Sequence, residues 1–141
     1  MLMERALRKL DQQASPLSRL HLLLHDASEA YMGDLCRPLK YMPALEGFRV
    51  LESKVQQAIY DRLNIPAPDD VQEKLVKEYD DRMLRTEAEA LMTRLQDWRN
   101  LILLDPLPVQ VMPWTERKVL AAFLSAYNSA LVAYRQNMQE K

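Results

Sequence analysis

In the run from Leu22 to Asp34 the chain sets His25 beside Asp26, behind three leucines, and follows them with Glu29 and Asp34. An imidazole nitrogen and a carboxylate oxygen side by side, with two more carboxylates close behind, suit a divalent cation and a hydrolytic water. The cation lowers the pKa of the water and polarises a phosphoryl oxygen, while the carboxylates handle protons. If the run is one continuous helix, His25 to Glu29 is an i,i+4 step and Asp26 to Glu29 an i,i+3 step, so the imidazole and both carboxylates share one side. Imidazole chemistry has only His21 and His25 to run through. No Gly-rich phosphate loop and no nucleophile motif accompany them.

The elements that must position these groups read as helices. Glycine is nearly absent, and prolines fall in pairs between periodic segments: Pro38 with Pro43, Pro66 with Pro68, Pro106 with Pro108. The expected fold is all-α, a bundle of about five to six helices in one domain spanning residues 1–141. A first amphipathic helix is expected over Met1 to Gln13. Ser15-Pro16 caps a second, which carries His25 and stops near Gly33. Residues 34–43 read as a loop. A third helix has Phe48, Leu51, Val55, Ala58, Ile59 and Leu63 at helical spacing and closes at Asn64-Ile65-Pro66. Asp69 or Asp70 caps a long helix running to about Asp97, with Val76, Met83, Leu84, Leu91 and Leu95 as its apolar stripe. Leu101 to Leu104 form a short apolar patch. Thr115 caps a last helix whose core face is Val119, Leu120, Phe123, Tyr127, Ala130, Leu131 and Tyr134.

Asp80 falls inside the apolar stripe of the long helix, and a carboxylate there is costly unless paired, protonated or bound to a cation. With His25 and Asp26 it makes a mixed nitrogen and oxygen set, suited to Mn²⁺, Co²⁺ or Mg²⁺ rather than to a thiolate zinc site. Glu87, seven residues on, repeats the anomaly.

The charge balance of 19 basic against 20 acidic residues leaves no footprint for DNA or RNA. The single Cys36 can form neither an internal disulfide nor a zinc cluster, and no secretory leader opens the chain, so the expected location is the reducing cytoplasm. The apolar run from Val119 to Tyr127 is about half of what a membrane span needs, so no membrane partner is expected.

The segment His25 to Tyr41, His-Asp-Ala-Ser-Glu-Ala-Tyr-Met-Gly-Asp-Leu-Cys-Arg-Pro-Leu-Lys-Tyr, followed by Val-Lys-Glu-Tyr-Asp at Val76 to Asp80 and by Thr86-Glu87, resembles the HD-domain phosphohydrolases. Within that superfamily it is most similar to the 5′-deoxynucleotidases and phage-type dATP triphosphohydrolases. The resemblance covers residues 20–95. It implies a metal held by His25, Asp26 and Asp80, with Glu29 and Asp34 moving protons and orienting water or substrate, and Lys40 near the substrate phosphate. The implied activity is metal-dependent hydrolysis of deoxynucleotide phosphates. Two departures stand out. The family takes a further metal-binding His from a helix before the dyad, whereas the only upstream His here is His21, on the same helix as His25. The resemblance thus implies a chain without that first helix, with weak metal binding and slow or no turnover. Cys36 stands where relatives commonly have Pro.

Each residue also has a plainer reading. His21 is a structural, partly exposed His. Asp80 pairs with Arg82 or Lys40, and Asp34 is a turn residue beside Gly33. Arg37 and Lys40 grip phosphate or are simply solvated. Glu87 contacts the site or an internal cation. Trp98 and Trp114 stack on a nucleobase or fill a core edge, and Cys36 is inert. For function, the alternative is a catalytically silent HD-like helical protein that oligomerises or binds nucleotide without turnover. In the last helix Leu124 and Ala133 lie outside the stripe of Phe123, Tyr127, Leu131 and Tyr134, which widens the apolar surface. A homodimer is expected.

Overall fold

A computed structural model describes residues 1–93 and 103–140, without the side chain of Arg37. Among these residues the chain is all-α. The elements are α1 (Leu2–Leu10), α2 (Pro16–Leu24), α3 (Glu29–Met32), α4 (Arg37–Lys40), a 3₁₀ turn (Pro43–Leu45), α5 (Glu46–Leu63), α6 (Asp70–Leu91) and α7 (Glu116–Gln139). Among the described residues no helix is long and apolar enough to cross a membrane. The helices form two compact units, Met1–Leu23 with Asp70–Lys141, and Leu24–Asp69.

The first unit is built on α1 and α6. In α1, Met3, Ala6 and Leu7 recur at i, i+3 and i+4, and all three are buried. They meet Leu22 of α2, Tyr79 and Met83 of α6, and Leu107, in one apolar cluster edged by Leu75, Val76, Val109 and Val111. Ser15 starts α2 by accepting the Ser18 N–H at 3.0 Å, the bond that an N-cap hydroxyl supplies to an otherwise orphaned donor. Glu4 is also inside, fully buried, and its Oε1 receives the Arg19 Nε–H at 2.8 Å. Arg19 reaches on to Ser129 Oγ of α7 at 3.4 Å. The segment after α6 returns across it through Thr86, whose hydroxyl donates to the Arg82 carbonyl at 2.7 Å and accepts the buried Leu107 N–H at 2.8 Å. Thr115 accepts the Lys118 N–H at the start of α7.

In the second unit α5 is the backbone of the packing, with Tyr60 buried and Ile65 behind it. The helix ends at Asn64, whose φ of 53° is the left-handed conformation that stops a helix.

Several expectations are corrected. The second helix does not run to Gly33: it stops at Leu24, residues 25–28 are turns, and α3 is a separate single turn. Ser28 N–H and the Leu24 carbonyl bond to Gln56 at 2.9 and 2.7 Å, so a side chain of α5 takes over backbone groups that a continuous helix would have paired. The expected loop 34–43 contains α4. The long helix ends at Leu91 rather than Asp97, Leu91 is exposed, and Leu95 lies outside the described residues. Leu103 is also exposed while Leu107 is the buried anchor, and Leu101 lies outside the described residues. Along α5, Leu51 and Ala58 are exposed and Tyr60 is the buried residue. Along the expected core face of α7, Ala130 is buried, Phe123, Tyr127, Leu131 and Tyr134 are half-buried, and Val119 and Leu120 are exposed.

Two stability predictions follow from these contacts. Thr86→Val keeps the shape but orphans the buried Leu107 N–H, and is expected to cost about 1–3 kcal/mol in urea unfolding, with Thr86→Ser close to wild type. Arg19→Met strands the Glu4 carboxylate in the core and is expected to cost about 3–5 kcal/mol, most of it recovered when Glu4→Gln is added.

Candidate functional site

The break between α2 and α3 places the dyad. With residues 25–28 released from the helix and held by Gln56, His25 Nε2 comes to 2.7 Å from Asp26 Oδ2, a hydrogen bond in which the imidazole N–H donates. His25 keeps a fifth of its side chain exposed and Asp26 about half, so both remain reachable from solvent. Partial burial pushes the Asp26 carboxyl up, but the hydrogen bond from His25 and the charges of His25 and Lys40 outweigh it and hold it below its ordinary value.

Glu29 opens α3 and shares this environment. Its carboxyl is pushed up from an ordinary 4.5 to about 6, first by burial and then by the negative charges of Asp26, Asp34 and Glu52, with Lys40 opposing. Asp34 is exposed and follows Gly33, whose φ of 75° is a backbone conformation that residues with a Cβ rarely adopt. Lys40, at the end of α4, is paired with Glu52 of α5 at 2.7 Å. Burial disfavours its ammonium, yet Glu52, Glu29 and Asp26 together hold its pKa above the ordinary value. Tyr60 lies in the field of Asp26, and burial raises its phenol. Asp26, Asp34 and Glu52 thus add to the burial of Glu29 in disfavouring its charge, and Lys40 opposes them.

The second unit thus brings together His25, Asp26, Glu29, Asp34 and Lys40. Arg37 belongs to the same unit, but its side chain lies outside the description. Cys36 is free and exposed. Asp80 belongs to α6 in the other unit. It is half-exposed rather than enclosed, with Lys77 Nζ at 3.6 Å, so its place in the apolar stripe is softened by neighbouring cations and solvent. Glu87, on the same helix, has its carboxyl raised by burial and by Asp80. His21 is buried, not partly exposed, with Nδ1 at 3.3 Å from Gln72 Oε1. Trp114 is half-buried, with Lys118 over its ring, and Trp98 lies outside the described residues.

Sequence reasoning missed Gln56 and Glu52. Neither has a local signal, since a glutamine and a glutamate on a helix read as solvated until the packing of α5 gives them partners.

The dyad offers the one-nitrogen, one-oxygen donor pair that a borderline or hard divalent ion accepts. Among the described residues no group of three or more His, Cys, Asp or Glu side chains is placed to hold a metal ion. The sequence matches no family model, no curated protein and no solved structure.

The raised Glu29 carboxyl makes stability pH-dependent in a defined direction. Between pH 4.5 and about 6 the folded chain holds a proton that the unfolded chain has released. The associated stability is therefore complete below pH 4.5 and lost as pH rises through 6. Glu29→Gln is expected to raise the melting temperature at about pH 7.5 and to change it little at about pH 4, as read by thermal melts across that range.

Proposed function

We propose that this protein is a metal-dependent phosphohydrolase of the HD-domain type, acting on deoxynucleotide phosphates as a homodimer in the cytoplasm. One observation carries the reading: beside the His25–Asp26 contact at 2.7 Å stands Glu29, whose carboxyl is raised to about 6 by burial and then by the charges of Asp26, Asp34 and Glu52. His25 and Asp26 are the metal donors of the second unit, and Asp80 is assigned as the third by the resemblance of Val76–Asp80 to the family. The metal, Mn²⁺, Co²⁺ or Mg²⁺, supplies charge neutralisation of the phosphate and acidification of water when bound.

The chain's own groups do the rest. Glu29, which holds its proton up to about pH 6, is suited to deliver a proton to a leaving alkoxide, and Asp34 orients water or substrate from the turn after Gly33. Lys40 and Arg37 are the cations for substrate phosphate. Lys40 exchanges its ion pair with Glu52 for one with the incoming oxyanion.

A second reading, a catalytically silent HD-like protein that binds nucleotide without turnover, is favoured by that same pairing, because Glu52 already neutralises Lys40. Phosphate or pyrophosphate release from a panel of deoxynucleoside mono- and triphosphates, with each metal tested separately, decides between them. On the hydrolase reading slow turnover is expected with at least one metal, and His25→Ala or Asp26→Ala should lower it by about a hundredfold or more. Nucleotide binding by calorimetry with no release under any metal would select the silent reading.

A further inference from the structure

One side chain of α5 stands inside a rung of a helical ladder. In a continuous helix through this segment the Ser28 N–H would donate to the Leu24 carbonyl, four residues back. Here the Gln56 amide lies between them: Oε1 accepts the Ser28 N–H at 2.9 Å and Nε2 donates to the Leu24 carbonyl at 2.7 Å. Around the insertion the backbone bonds are shortened by one residue. Ala27, Glu29, Ala30 and Tyr31 donate to carbonyls three residues back, at 3.0 to 3.4 Å, and the four-residue step returns with Met32 and Gly33. A stretch of such tight bonds between two helical segments is a common place for a hinge.

Nothing in the segment itself asks for the break. Residues 25–32 contain neither Pro nor Gly, and Ala27, Glu29, Ala30 and Met32 are good helix formers. Leu24 and Ser28 are buried, so the carbonyl of one and the N–H of the other must be paired, by each other or by Gln56. Gln56 is half-buried, and its amide, once withdrawn, is taken up by water. The two arrangements therefore trade two hydrogen bonds to a side chain for one helical rung and a solvated amide, which is a close balance.

We propose that Gln56 is the positioning residue of the His25–Asp26 pair and acts as a latch on a two-state segment. With the amide in the rung, residues 25–28 are turns and the two side chains meet. With the amide out, the Ser28 N–H returns to the Leu24 carbonyl and α2 and α3 become one helix from Pro16 to Met32, on which His25 and Asp26 no longer face one another. Tyr60, buried one turn further along α5, is hydrogen-bonded to the Gln56 side chain and holds it in place. The same stripe of α5 carries Glu52, paired with Lys40, and Arg49, whose Nη1 donates to the Lys40 and Met42 carbonyls at 2.7 and 3.3 Å. The latch is thus anchored on the helix that also holds α4. It is a property of the fold, and only its consequence for turnover rests on the hydrolytic reading.

The test is NMR spectroscopy of the full chain. In the wild type, relaxation dispersion should show residues 25–31 exchanging with a minor state, populated on the order of 1%, whose ¹³Cα shifts are helical. Tyr60→Phe should raise that population about fivefold. Gln56→Met, which keeps the length of the side chain and removes both bonds, should make it the major state, with the Ser28 N–H still protected from hydrogen exchange. On the hydrolytic reading Gln56→Met should also lower kcat about tenfold or more, with a smaller change in KM. Absence of exchange in both wild type and Tyr60→Phe overturns the latch. So does a folded Gln56→Met chain whose residues 25–28 keep the wild-type shifts, or take random-coil shifts with an unprotected Ser28 N–H. If Gln56→Met does not fold, wild type and Tyr60→Phe decide. A wild type that shows the exchange but no turnover with any metal removes the hydrolytic reading and leaves the latch standing.

Discussion

The first unit depends on a charge it has had to bury. Glu4 is inside the protein on a short helix that is otherwise apolar on that side, and a lone carboxylate there would lose most of its hydration without return. The contact with Arg19 at 2.8 Å resolves this. Because Arg19 sits on α2 and also reaches Ser129, the one pair ties α1, α2 and α7 into a single arrangement. A hydrophobic contact would have tolerated sliding and rotation. An ion pair with a defined hydrogen bond does not, and it sets the rotation of α1 about its axis. That rotation directs Met3, Ala6 and Leu7 onto Tyr79 and Met83. The second oxygen of Glu4 is buried with no hydrogen-bond partner among the described residues, so the pair contributes more to specificity of packing than to net stability.

The second unit solves a different problem, how to present acidic groups close together without a deep core. Ending α2 at Leu24 exposes backbone groups of the next four residues, and Gln56 satisfies two of them from α5. The turn so held is what lets His25 and Asp26, neighbours in sequence, meet through their side chains. On a continuous helix, adjacent residues point about 100° apart and do not face one another. Glu52 and Lys40 extend the cluster and set its electrostatic balance. Burial and the charges of Asp26, Asp34 and Glu52 together keep the Glu29 carboxyl protonated to a higher pH than usual.

The raised Glu29 carboxyl and the Lys40–Glu52 pair are two sides of one economy. Lys40 lowers the repulsion among the carboxylates, and Glu52 keeps Lys40 charged and in place. The protonation of Glu29 and the charge of Lys40 are thereby linked through shared neighbours.

The amino-acid sequence by itself determined the all-α character, the long helices and most of their caps. Scarcity of glycine, proline pairs, the Ser15 and Thr115 hydroxyls and the left-handed Asn64 act over a few residues, and local chemistry is enough to specify them. It also marked His25, Asp26, Glu29, Asp34 and Lys40, because their types are unusual together in so short a stretch. The tertiary structure decided what local periodicity could not. It broke the helix at residue 25, since Gln56, distant in sequence, offered the turn hydrogen bonds that compete with helical ones. It buried His21 against Gln72 and left Asp80 half-exposed beside Lys77, because which face of an amphipathic helix is enclosed depends on what packs there. It left Val119 and Leu120, at the start of the expected core face of α7, exposed for the same reason: the stripe is written in the sequence, but coverage is a property of neighbours.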